Sequence, residues 1–147
     1  MLRLAERRDF AEVSRMAREF HSQSPYSCLE FDEGKIWENF KFYLKNKNQM
    51  IIILSEQDEK PRGMIIGTVS CPPFSNDIIA TELAWWMDEE YRKTRDSLLL
   101  FDAYQDWTRR VGAKMCHMAL LSSSPDLSKK YERSGYTLSE KTYVKEL

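Results

Sequence analysis

TELAWWMDEEYRKTRDSLLLFDAYQDWTRRVGA, residues 81–113, reads as a buried strand, a short charged turn and a long amphipathic helix. Trp85, Trp86 and Met87 end an apolar run, and Asp88, Glu89 and Glu90 break it. From Leu100 the apolar residues recur at Tyr104, Trp107 and Val111, a spacing that lines one face of a helix. Gly112 falls where a left-handed C-cap closes such a helix. Between strand and helix stand Arg92, Lys93 and Arg95. This cationic turn has two readings. It is a solvated charged connection, or it is an anion site, because free N–H groups and the helix dipole point at one spot.

Outward from that stretch, the 147-residue chain is 42% hydrophobic and 31% charged, with five glycines and five prolines. That is the composition of one compact domain and not of a disordered chain. A net charge of −1 supplies no basic face for nucleic acid and no bias toward an anionic membrane. No apolar run approaches the roughly 18–20 residues of a membrane span. The opening MLRLAERRDF lacks the apolar stretch of a secretory signal. Cys28, Cys71 and Cys116 are odd in number and form no CxxC pair, which speaks against a disulfide framework or a zinc site. They read as small core residues. The expected compartment is reducing and cytoplasmic, with no metal.

Leu2–Ala5 alternates like a short first strand. Asp9 with Glu12 three residues on is a variant capping box, and Phe10, Val13, Met16, Ala17 and Phe20 follow at helical spacing. His21–Ser27 is polar and reads as a loop. A second helix is expected from Gly34 to about Asn46, with Ile36, Trp37, Phe40, Tyr43 and Leu44 inward. Then the period changes. Met50–Leu54, Met64–Cys71 and Ile78–Met87 read as strands, with Glu56–Arg62 as a hairpin connection and Pro72-Pro73 as a stop. Met115–Leu121 reads as a further buried strand, and Ser124-Pro125 as a helix start. Gly135 closes that helix, and Tyr136–Lys145 alternates like a last strand. The order β-α-α-β-β-β-α-β-α-β predicts an α/β mixed sheet with helices on its faces. Where a parallel strand follows a crossover helix, the sheet can open into a ligand crevice.

This order, with a charged turn before the long helix and a late Tyr-x-x-x-Gly-aromatic, resembles the GNAT family of acetyl-CoA-dependent N-acetyltransferases. The resemblance runs from Leu2 to about Val144. Asp88-Glu89-Glu90-Tyr91-Arg92, after Met87, is similar to the family's V-x-P-x-Y-R approach to its pyrophosphate loop. Tyr131-Glu132-Arg133-Ser134-Gly135-Tyr136 is similar to its Y-E-K-x-G-F/Y helix exit. The resemblance implies a GNAT-like, mostly antiparallel central sheet in a single domain over residues 1–147. It implies direct transfer of acetyl from acetyl-CoA to a primary amine of a small molecule or protein. It implies cofactor contacts at Trp86, Met87, Arg92, Lys93, Thr94, Arg95, Asp96, Ser97 and Leu98, and at Ser124, where the family often has an Asn. The last strand of such a sheet can pair across a homodimer. One departure stands out. The family's loop reads Q/R-x-x-G-x-G/A, and Arg95 and Ser97 occupy its glycine positions here. Arg95 either points outward and pairs with a phosphate or closes the loop to it. A non-catalytic GNAT-like binding or structural domain that has lost the glycine loop is the alternative function.

Tyr131 matches the family's general acid, and a phenol of ordinary pKa near 10 suits protonation of a leaving thiolate. Its structural reading is a packing aromatic paired with Leu127. Glu82 is the candidate base, a carboxylate in an apolar strand that faces a cleft or an exposed sheet face. His21 and His117 are lesser candidates for proton transfer, and His117 reads first as a hydrogen-bonded strand residue. Trp85 and Trp86 alternate to opposite sides of their strand, so one joins the core and the other is free to line an acceptor pocket.

Overall fold

The computed structural model, which describes residues 1–147, forms its sheet where the sequence period changes. β2 (Met50–Gln57), β3 (Lys60–Ser70) and β4 (Ile79–Met87) run as an antiparallel meander. β1 (Leu2–Leu4) pairs antiparallel outside β2, and β5 (Met115–His117) pairs parallel outside β4. α1 (Phe10–Gln23) and α2 (Glu33–Lys45) link β1 to β2. α3 (Asp96–Arg110) crosses from β4 to β5, and α4 (Ser128–Arg133) follows. The mixed, mostly antiparallel sheet with helices on both faces is present. No helix is long and apolar enough to cross a membrane.

Successive residues of β2 divide between two cores, as strand alternation requires. Ile52 and Leu54 join Val13, Met16, Phe40 and Tyr43 under α1 and α2, while Ile51 and Ile53 join Leu100, Tyr104 and Trp107 under α3. Trp86 enters the first core, and Trp85 stacks on Phe101 at 5.6 Å on the other face. Each large apolar side chain buried this way contributes about 1.5–3 kcal/mol.

Gly67 lets α3 approach β3. A Cβ there would overlap the ring of Tyr104, which is fully buried, and would lie 3.3 Å from Trp107. Gly67→Ala is therefore expected to destabilise the fold by about 1–3 kcal/mol, the usual cost of overpacking a core. A denaturant titration with an unchanged midpoint would mean the Tyr104 ring yields freely.

Several local expectations are corrected. Asp9 stands at the N-cap of α1, but its side chain makes no cap bond, because Arg3 grips the carboxylate at 2.7 and 2.9 Å and the Glu6 N–H donates to it at 2.7 Å. α1 continues through His21 to Gln23, so the loop begins later than its polar composition suggests. The β2–β3 connection is a two-residue turn, Asp58 and Glu59, both at positive φ as a tight hairpin requires. Ser124 is not a helix cap: α4 starts at Ser128, whose N–H is held by Asp126 Oδ1 at 2.9 Å. Residues 137–147 form no strand, because an isolated alternating segment with no neighbour has nothing to accept its backbone hydrogen bonds. Cys28 and Cys71 are exposed, and Cys116 is half-buried with its Sγ 3.1 Å from the Tyr136 hydroxyl. Gly112 and Gly135 do close their helices at positive φ.

Candidate active site

β5 runs beside β4 for three residues only, pairing Met115 with Ile79, Cys116 with Ala80 and His117 with Thr81. The strand expected over 115–121 stops there for a visible reason. A bulge leaves Leu83 unpaired on β3, since Gly67 pairs with Glu82 and Ile66 with Ala84. The Glu82 carboxylate then takes the Ala119 N–H at 3.2 Å, a donor that a longer strand would have used. From Glu82 to Met87 the β4 edge has no strand beside it. The sheet is split where ligand crevices form in such topologies.

Ala119 brings the two expected proton-transfer residues together. Glu82 accepts its N–H, and the Tyr131 hydroxyl donates to its carbonyl at 3.0 Å. Burial pushes the Glu82 carboxyl up to about 7, against the weaker opposing effect of the Ala119 N–H. Tyr131 is 8% exposed and stacks on Phe101 at 6.0 Å. Burial, and secondly the Glu82 charge, push its phenol up, so it holds its proton throughout the neutral range. One group that exchanges a proton near pH 7 and one that keeps its proton thus share a residue.

The turn from β4 to α3 passes through a single helical turn at Glu89–Tyr91. Arg92 braces it: its guanidinium lies over Trp86 at 4.8 Å, and its nitrogens donate to the Met87 carbonyl at 3.0 Å and to Gln23 at 3.3 Å. Trp86 and Met87 are buried, which makes their side chains supports of the turn. Asp96 faces β2, accepting from Ser55 at 2.7 Å and from Gln57, and these bonds hold its carboxyl below the usual range. Thr94 donates to the Tyr91 carbonyl at 2.7 Å, and the Leu98 N–H is used by Arg95. What is left free is specific. The N–H groups of Lys93, Arg95, Asp96 and Ser97 have no acceptor in the protein, and the Lys93 and Arg95 side chains are exposed and unpaired. Arg95 has ordinary helical backbone at φ −63°, and no residue of the turn has positive φ. The turn closes without glycine. Ser124 lies exposed before α4, with its N–H on the Leu121 carbonyl.

On the other side of β4, α1, α2 and the sheet form a half-open cavity of about 250 Å³. Phe20, His21, Phe31, Phe40, Ile52 and Leu83 are among its walls. His21 Nε2 is buried there with no partner. The His117 side chain makes no hydrogen bond, and its carbonyl accepts from the Tyr104 hydroxyl at 3.3 Å. Sequence reasoning missed Asp88, which accepts from both Arg15 terminal nitrogens and from the Trp86 indole, all at 3.0 Å. It also missed Ala119, whose contribution is made by its backbone.

No family model matches the sequence, and no curated protein matches it significantly. Solved structures do match over the whole chain. A transcriptional regulator from Bacillus halodurans has a TM-score of 0.78 at 16% identity, over 100% of this chain and 99% of that one. AAC(6')-Iy, solved with the bisubstrate analogue CoA-S-monomethyl-acetylneamine, has a TM-score of 0.75 at 11% identity, over 100% and 97%. Glucosamine-6-phosphate N-acetyltransferase from Arabidopsis thaliana has 0.73 at 12% identity, over 99% and 97%. With its split sheet and its strand–turn–helix, this chain has the GNAT acetyltransferase fold.

Proposed function

We propose that this protein is an N-acetyltransferase that moves acetyl from acetyl-CoA directly to a primary amine. The observation that carries the reading is the meeting of Glu82 and Tyr131 on Ala119 beside the open edge of β4. Bound acetyl-CoA supplies an activated acetyl thioester. The residues present fit such a group, because the free N–H groups of Lys93, Arg95, Asp96 and Ser97 and the cations Lys93 and Arg95 match a pyrophosphate. Glu82 takes a proton from the incoming ammonium, so that the neutral amine can attack. Tyr131 holds the proton that the departing thiolate needs. Asp88, Arg15 and Arg92 hold the turn in place.

The test is calorimetric titration of CoA into the wild-type chain and its Arg95 variants. A charge-assisted bond contributes on the order of 1.5–3 kcal/mol, so Arg95→Ala should weaken CoA about tenfold or more. Arg95→Gly should weaken it as well, since the observed backbone needs no glycine. Tighter binding by the glycine variant would mean that the arginine obstructs the loop. A second reading, a non-catalytic binding domain, rests on Arg92 being committed to Met87, Gln23 and Trp86. Wild-type chain that ignores millimolar CoA would favour that reading.

A further inference from the structure

The cavity between α1, α2 and the sheet bears on the acceptor. Resting on the acyl-transfer reading, we infer that the acceptor is a monocyclic aralkylamine whose ring fills this cavity and carries one hydroxyl for His21. Size is the first argument. A dry protein cavity of about 150 Å³ holds a benzene, so about 250 Å³ suits one substituted ring. Chemistry is the second. Twelve of the fifteen lining residues are hydrophobic, and none is Asp, Glu, Lys or Arg. A polycationic or phosphorylated sugar would shed its water here and find neither counter-charge nor enough partners. Phe20, Phe31 and Phe40 instead offer ring surfaces to an aromatic body.

The third argument is a polar vacancy buried in the wall, at a point deeper than the exposed Asn39 and Tyr26 side chains of the rim. Ser24 is already engaged, its hydroxyl on the His21 carbonyl at 2.9 Å and accepting the Tyr26 N–H at 3.2 Å. His21 Nε2 is buried without a partner. A neutral imidazole nitrogen either donates or accepts, and a hydroxyl satisfies both cases. The cavity lies on the opposite face of β4 from Tyr131 and reaches the stretch of that strand whose edge is uncovered. Leu83, the bulge residue, lines the cavity, and Glu82 precedes it in the chain. A short arm from the ring therefore carries its amine toward the proposed base.

The experiment titrates tyramine, phenethylamine and glucosamine into the full chain without cofactor. Tyramine should bind about tenfold more tightly than phenethylamine, and glucosamine about a hundredfold more weakly than tyramine. His21→Phe, which keeps the ring, should erase the preference for tyramine over phenethylamine. Wild-type NMR provides the check that needs no variant: tyramine ring protons should show contacts to the Ala17 and Ile52 methyl groups. Ring contacts elsewhere, equal binding of tyramine and glucosamine, or an undiminished preference in His21→Phe would overturn the inference. Tyramine bound in the cavity but never acetylated in the presence of acetyl-CoA would sink the acyl-transfer reading and leave the ligand class standing. Acetylation of glucosamine in preference to tyramine would do the reverse.

Discussion

Tyr131→Phe is expected to lower kcat by about 10²–10⁴-fold, the usual weight of general acid–base assistance, with cofactor affinity unchanged. The substitution deletes one hydroxyl and keeps the ring that stacks on Phe101 and lies 5.8 Å from Tyr136. Its structural consequence is the loss of one hydrogen bond to the Ala119 carbonyl, worth about 1 kcal/mol. The two effects separate in measurement. A donor that acts only in the reaction lowers kcat and kcat/KM together, while a packing residue lowers stability and leaves turnover per folded molecule alone. Burial raises the Tyr131 phenol, which makes it a weaker acid in isolation. The same apolar surroundings also raise the basicity of a thiolate leaving beside it, so the proton still has a favourable destination. Equal turnover in the variant and the wild type would reduce Tyr131 to a core aromatic.

What the sequence made legible is what local physics determines. The isoleucine run of β2 and the three-to-four spacing of α3 each need only their own stretch of chain, and both are present. Gly112 and Gly135 sit at positive φ because helix ends ask for it locally. A carboxylate in an apolar strand is costly to bury, which singles out Glu82 from its own segment alone. What was hidden depends on partners distant in sequence. Arg15 and Asp88 are 73 residues apart, and neither looks unusual in its own segment. Arg92 reads as a free cation until Met87 and Gln23 are seen to hold it. The alternation of residues 136–145 carries a strand's pattern without a strand's neighbour, and pattern alone forms no ladder. The turn illustrates the same limit from the other side. Its lack of glycine matters only if the backbone needs positive φ, and that depends on how Arg92 and Asp96 anchor the two ends.

Glu82→Gln should make the protein less active and more stable at once. On the kinetic side, a base with a pKa of about 7 is charged above that pH, so wild-type kcat/KM should climb with pH through about 7 and then level off. Glutamine accepts no proton, so the variant should lose that limb and lie about 10²–10⁴-fold lower on the plateau. On the stability side the sign is opposite. The folded carboxyl titrates at about 7 and the unfolded one at the ordinary glutamate value of 4.5, so between these values the folded state binds the proton more strongly. Wild-type stability therefore falls as pH rises through this window and stays low above it. Each pKa unit is worth 1.36 kcal/mol, so the charged form costs up to about 3 kcal/mol by pH 8. Glutamine carries no such charge, and its amide oxygen can still accept the Ala119 N–H. The variant should match the wild type near pH 4 and exceed it by about 1–3 kcal/mol at pH 8 in urea titrations. A stability difference that does not grow between those pH values would show that Glu82 is solvated in the folded state. A pH–rate limb that survives the substitution would assign the proton transfer to another group.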